Sequence, residues 1–386
     1  MTGNGIRITP VRSRRDIETF LDIPYLVYRG NSNWAPPLRH EVRKLLSVRH
    51  NPFFDHGIAN FWIAWRGRDP VGRISAQINH LHLDTYKDAT GNFGLVEAID
   101  DPNVFAALLS TAEEWLRDRG MRRILGPYSL SINDEIGVLI KGFDMPPMVM
   151  MPYSARYYAT RLEECGYLKA KDLHAYVMDL RSMSASEIQR LEMAAARLRG
   201  EGKIRVRPID MRRFADEIRL AIDIYNDGWQ DNWGFLPVTP REVDYLTAAI
   251  RPIAISEAVL FAEVDGKPEA MMVWIPDVNE MIADLGGRLL PFGWIRLLWR
   301  IRKLNIKSGR MILGGVRRAR RDSLMSGALI TMMLAELTKA GLARGIEKVE
   351  FSWILEDNSA SLAVSRYGNA RLAKLYRIYE KSLMVS

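Results

Sequence analysis

The chain has 386 residues, 48% of them hydrophobic and 26% charged, with a formal charge of +8; it is too long for one ordinary domain and too mixed to be disordered or fibrous, so two globular domains are expected. A single cysteine, Cys165, excludes an internal disulfide framework and a cysteine-based zinc site, and no metal is expected. No apolar run nears the ~18 residues of a membrane span, and the opening MTGNGIRITPVRSRRDIETF lacks the apolar stretch of a signal peptide, so the expected location is cytoplasmic.

Taken in chain order, the elements come in two echoing sets. Ile6-Arg7-Ile8 with Pro10-Val11 reads as a first strand and recurs 198 residues later as Ile204-Arg205-Val206 with Pro208-Ile209. Asn33-Trp34 and Pro37 return as Asn232-Trp233 and Pro237. The alternating stretch FWIAWRGRDPVGRISAQI folds back as a hairpin around Arg66-Gly67-Arg68-Asp69, and AVLFAEVDGKPEAMMVWI does so around Asp265-Gly266. A strand, a helix and a strand follow in each set: NFGLVEAI, Val104 to Arg119 and RRILGPYS, then RMILGGV, Leu324 to Ala343 and KVEFSWIL. A short helix and a strand pair around Tyr176 and Tyr379 close the two sets, and the segment from Arg181 reads as a connecting helix. The expectation is a duplicated α+β domain, each copy a mixed central sheet flanked by helices, with limits 1–180, 181–203 and 204–386. The first copy carries extra residues at 135–155 and the second at 280–310.

Charge collects in and after the second insertion. From Leu285 to Arg321 there are eleven basic residues and no acidic one; setting those eleven aside leaves −3 on the rest of the chain. The cluster says where an anion would go without choosing its partner. A helix begun at Phe292 puts Arg296, Arg300, Lys303 and Lys307 on one stripe, while Trp294, Leu297, Leu298, Ile301 and Leu304 cover most of the rest. Such a helix lies on an anionic membrane, caps a hydrophobic tunnel, or packs on a neighbouring domain with a solvated basic edge.

The strings IYNDGWQDNWGFLPVT, LPFGWIRLLWRIRK, FSWILEDNSAS and LYRIYEKSL, with NSNWAPPLRHEVRKLL and NPFFDHG in the first half, resemble the bacterial ceramide synthase-like family over nearly the whole chain. The resemblance implies two tandem GNAT-like (acyl-CoA N-acyltransferase) domains. In that fold two central strands splay to admit an acyl-CoA, whose diphosphate sits at the start of the next helix. The implied reaction moves an acyl group, expected to be long, from acyl-CoA or acyl carrier protein to an amine such as a sphingoid base. Two other readings stay open: aminoacyl transfer from a charged tRNA, although no nucleic-acid partner is expected, and an acyl-lipid-binding protein without turnover.

A helix N-terminus offers unpaired N–H groups and partial positive charge to a phosphate. In the first copy that place reads Asp100-Asp101-Pro102-Asn103, so carboxylates already occupy it and the copy is expected to be degenerate. In the second it runs from Val316 to Ala328, and Val316, Arg317, Arg321, Ser326, Gly327 and Ala328 form the expected donor window. The glycine-rich loop usual in the family is reduced here to Gly327-Ala328 behind Ser326; the alternative is a solvated basic turn. The pair Gly314-Gly315 is too short a run for a phosphate loop.

The attacking amine must lose a proton, and no histidine lies beyond His174, so Glu356 or Asp231 is the expected base. The resemblance implies that Asn358 orders the pantetheine arm. Where many members of the family have a general-acid tyrosine this chain has Val364, leaving Tyr379 and Tyr376 as substitutes at best. Asn232, Trp233, Asp357 and Trp294 are expected on the acceptor side, with residues 285–310 touching the inner membrane face. Against these stand plainer roles: a helix cap for Asp357 or Asn358, and core packing for Tyr379.

Overall fold

The computed structural model describes residues 5–200, 204–303, 306–321, 323–359, 361–362 and 370–384. The chain divides into two compact units, one made of Met1–Leu173, Ile282–Gly293 and Lys374–Ser386, the other of His174–Met281 and Trp294–Ala373.

In the first unit the sheet runs β1 (Ile6–Pro10), β2 (Gly57–Arg66), β3 (Asp69–Asn79), β4 (Thr90–Ala98), β5 (Arg123–Gly126), antiparallel except for the parallel pair β4/β5. A short β6 (Val138–Lys141) follows, and β7 (Leu168–Asp179) starts in this unit. The second unit repeats the order with β8 (Ile204–Pro208), β9 (Val259–Val264), β10 (Lys267–Pro276), β11 (Ser308–Val316) and β12 (Lys348–Leu355), again with only its last pair parallel. The chain's final strand is β13 (Arg371–Ser382).

The duplication is thus visible strand by strand. The offset is 198 between Ile6 and Ile204 but 218 between Thr90 and Ser308, so the second copy's extra residues lie between β10 and β11, where expected. Both hairpins turn on the anticipated residues: Gly67 has φ +60, and Asp265 and Gly266 have φ +50 and +76, the pair of left-handed residues that a tight two-residue hairpin needs.

Each sheet is covered on both faces. The parallel strands are joined by helices Pro102–Arg117 and Leu324–Ala343, which bury Val104, Phe105, Leu108 and Leu116 in one unit and Leu329, Met332, Met333 and Leu334 in the other. Helices Arg14–Val27 and Phe214–Trp229 cover the opposite faces through Phe20 and Ile23, and through Phe214, Ile218, Ile222 and Tyr225.

The units do not follow the cut at 180 and 204. Tyr379–Ser382 of β13 pair antiparallel with Arg123–Gly126 of β5, so the last strand of the second sequence copy completes the first unit. Conversely, the later half of β7 belongs to the second unit, where Leu180 N–H donates to Glu347 O at 2.8 Å. Alternating apolarity says which face of a strand is buried, not which sheet takes it in. No helix among the described residues is long and apolar enough to cross a membrane.

Candidate active site

The ladder between β11 and β12 ends early. Ser308 to Met311 pair with Lys348 to Phe351, after which β11 continues to Val316 and β12 to Leu355 with no further register between them. On its other side β11 stays paired to β10 as far as Ala270↔Val316, so the missing partner is on the β12 side alone. A gap between two parallel strands exposes backbone N–H and C=O groups, and an extended chain bearing amides can lie there as an added strand.

Two glycines keep that gap clear. A Cβ on Gly314 would meet nothing within 4 Å, and one on Gly315 would meet only Trp229 and Met271 at 3.6 to 3.7 Å. Trp229 Nε1 donates to Gly314 O at 2.8 Å, which fixes the strand edge from the opposite face. Helix Phe214–Trp229 comes this close because residue 228 is glycine: a Cβ there would stand 2.7 Å from Val316 O. At the mouth of the gap, Arg310 Nε donates to Ser352 Oγ at 2.8 Å and Ser352 Oγ to Glu350 at 2.7 Å, all three side chains buried. Sequence reading missed this relay, although Arg310 and Glu350 are register partners on adjacent strands and so face the same side.

The same place in the first unit is shut. Its β4/β5 ladder ends at Asn92/Leu125, but Tyr128 N–H donates to Phe93 O at 2.9 Å and Gln77 Nε2 to Tyr128 O at 3.1 Å. A Cβ on Gly94 would lie 1.5 Å from Tyr128 O, so the chain's own backbone fills the opening. Where the second unit has Gly315, the first has Glu97, whose carboxylate accepts from Tyr28 and Tyr158 hydroxyls at 2.7 and 2.6 Å. Burial pushes the Glu97 carboxyl above its ordinary range.

The helix starts differ as the sequence predicts. Asp101 caps Pro102–Arg117 by accepting from Asn103 N–H at 2.8 Å and is also paired with Arg66, so a carboxylate takes the anion position. We predict that Asp101→Ala costs about 1 kcal/mol of first-unit stability through loss of the cap and leaves acyl transfer unchanged, read by thermal melting and by turnover. At Leu324–Ala343 the N-cap Ser323 makes no side-chain cap and its Oγ donates to Arg320 O instead. Ser326, Gly327 and Ala328 lie in the first turn of this helix, and Val316 is buried at the end of β11.

The cations of the window are not bare. Arg317 pairs with Asp223 at 2.6 Å; Arg321 reaches Asp231 at 2.8 Å; Arg318 donates its N–H to Asp227 at 2.9 Å and its guanidinium lies 3.4 Å from Asp231; Arg320 lies 3.8 Å from Glu269. Asp223, Asp227 and Asp231 recur every fourth residue along helix Phe214–Trp229 and the turn after it. Asp231, one of the two expected bases, is therefore a partner of two arginines. Exposed pairs of this kind are worth about 0–1 kcal/mol each, so a diphosphate could recruit the same guanidinium groups at small cost.

Glu356 and Asp357 follow directly on β12, whose free edge borders the gap. Asn358 Oδ1 accepts from Ser361 N–H at 3.0 Å, the cap of a further turn. Asn232 and Trp233 are half-buried in the turn after Trp229, and Trp294 is exposed on helix Gly293–Lys303. Tyr379 requires a correction: it belongs to the first unit, is fully buried, and donates to Glu163 at 2.9 Å, with burial pushing its phenol up. Val364 and Leu304 lie outside the described residues.

No family model matches the chain. It is 38% identical over 383 residues to the bacterial ceramide synthase of Caulobacter vibrioides, covering 99% of each chain. It is 40% identical over 372 residues to protein YghO of Escherichia coli, covering 96% of this chain and 94% of that one. Among solved structures it resembles a tandem GNAT protein from the clavulanic acid biosynthesis pathway, with a TM-score of 0.57 at 12% identity over 99% of this chain and 100% of that one. A GCN5-related N-acetyltransferase from Sphaerobacter thermophilus follows at 0.53 and 12%, covering 99% and 96%. The splayed strand pair and these likenesses define a tandem GNAT-fold acyltransferase. More narrowly, the chain belongs to the bacterial ceramide synthase family.

Proposed function

We propose that this chain is an N-acyltransferase that moves a long acyl group from acyl-CoA or acyl carrier protein to a lipid amine, a sphingoid base being the favoured acceptor. The observation that carries this reading is the contrast between the units: β11 and β12 part beside two open glycines and lead to an arginine-rich helix start, whereas the first unit's gap is filled by Tyr128 backbone and its helix is capped by Asp101. In this reading the pantetheine arm lies along Ile312–Val316 and the diphosphate at Leu324–Ser326. With no nucleophile-base pair evident among the described residues, the amine attacks the thioester carbonyl directly; the C–N bond forms, the C–S bond breaks to release the thiolate, and the amine's proton passes to the base.

A small, almost wholly apolar cavity with room for about one water-sized group lies beside the last paired residues, Met311 and Phe351, against Met178, Leu334 and Leu337, so a long chain enters there only as these side chains move aside. Methionines and leucines can repack around a guest. Leu334→Phe is expected to shorten the accepted chain. Excluding two methylenes costs about 1.6 kcal/mol, so palmitoyl turnover should fall roughly 15-fold relative to hexanoyl, read from a chain-length series.

The test is thiol release from a panel of acyl-CoAs and acyl carrier proteins with and without sphinganine, with charged tRNA as a further donor. Release with palmitoyl-CoA and sphinganine but not with acetyl-CoA supports the reading. Silence with every pair supports an acyl-lipid-binding protein, and turnover only with charged tRNA supports aminoacyl transfer.

A further inference from the structure

Helix Gly293–Lys303 turns its apolar side to solvent. Trp294, Ile295, Leu298 and Trp299 are 46%, 49%, 49% and 58% exposed, whereas Leu297 and Ile301 are half-buried and Arg300 is tied to the Met281 carbonyl on the inward side. At about 100° per residue the four outward side chains span an arc of roughly 140°, with Arg302 inside it and Lys303 and Arg296 roughly 40° and 60° beyond its Trp299 edge. Lys303 Nζ stands 4.1 Å over the Trp299 ring, so the cation rides on the apolar surface rather than away from it. Four large apolar side chains, each about half exposed along one side of a short helix, mark a surface suited to docking.

The charge around that face says what. No acidic residue occurs from Leu285 to Arg321, so a second copy of this helix would bring like charges together. A polynucleotide would satisfy the cations and leave two tryptophans, an isoleucine and a leucine without a partner. An anionic bilayer surface meets both halves, taking the apolar arc below the headgroups and the cations at phosphate level, where tryptophan also prefers to sit.

We propose that helix Gly293–Lys303 docks the protein on an anionic phospholipid leaflet. This rests on the lipid-amine reading above, since docking delivers a membrane-resident acceptor to the second unit without its leaving the bilayer. Docking itself, however, requires no turnover.

The full chain is mixed with phosphatidylcholine vesicles that contain or lack phosphatidylglycerol, then sedimented, and its tryptophan emission is read with brominated acyl chains as quenchers. The expected result is binding to the anionic vesicles, quenching in them, and a loss of about ten-fold or more in Ile295→Glu/Trp299→Glu, with melting unchanged. Wild-type protein that stays in the supernatant, or a variant that binds as well as wild type, overturns the proposal. So does a wild-type dimer that the variant converts to monomer, because a second copy then covers the face. Quenching in the wild type needs no variant and stands if the double variant misfolds. Vesicle binding by a chain silent in thiol release sinks the enzymatic reading alone.

Discussion

Gly314→Phe is expected to abolish acyl-donor binding while leaving the protein folded. A Cβ at that position meets nothing within 4 Å, so the start of a larger side chain adds no clash with the described residues. A ring there would project from the sheet face at the gap and crowd an extended arm laid along Ile312–Val316. Shutting out or displacing the thioester by even an ångström costs about 100-fold, so kcat/KM should fall by at least that factor with an unchanged melting temperature. The first unit supplies the precedent, for there Tyr128 backbone occupies the equivalent opening. If Gly314→Phe binds palmitoyl-CoA as tightly as wild type, the gap is not the donor site.

Glu356→Gln is expected to lower kcat by about 10²–10⁴-fold with little change in donor affinity, the range general-base removal produces. Glu356 follows the last residue of β12 and so stands at the edge of the gap. The amide is isosteric and cannot take the amine's proton, so the loss should fall on kcat. Asp231→Asn makes the contrasting case: Asp231 holds Arg318 and Arg321, and its loss should change donor KM while kcat survives. A kcat collapse in Asp231→Asn with normal turnover in Glu356→Gln would exchange the two roles.

Local chemistry was legible in the sequence, and partner choice was not. The repeat, the hairpins at Gly67 and Asp265-Gly266, the helix Leu324–Ala343 and the insertion before β11 all follow from periodicity, turn residues and offsets, which are properties of contiguous chain. Tyr379 is buried in the first unit, the core placement that is the plainer of its two expected roles; strand pattern does not name the sheet a strand joins, and β13 joins β5. The arginines of 317–321 were read as an open cradle, yet the four-residue spacing of Asp223, Asp227 and Asp231 was the available sign that one helix face would meet them. Gly314-Gly315 was set aside as too short for a phosphate loop; its role is to leave a strand edge uncovered, a tertiary property that two glycines do not announce. The capping of a further turn by Asn358 is the plainer of the two roles open to that residue, and it uses the side-chain oxygen.

The claim beneath all of this is that the second unit alone takes the acyl donor, and a crystal structure with palmitoyl-CoA tests it most directly. The account predicts pantetheine along Ile312–Val316, the diphosphate at Leu324–Ser326 with Arg317, Arg318 or Arg321 turned toward it from their aspartates, and an empty first unit. Coenzyme seated at Asp101 and Asn103, or bound away from both strand gaps, would contradict it.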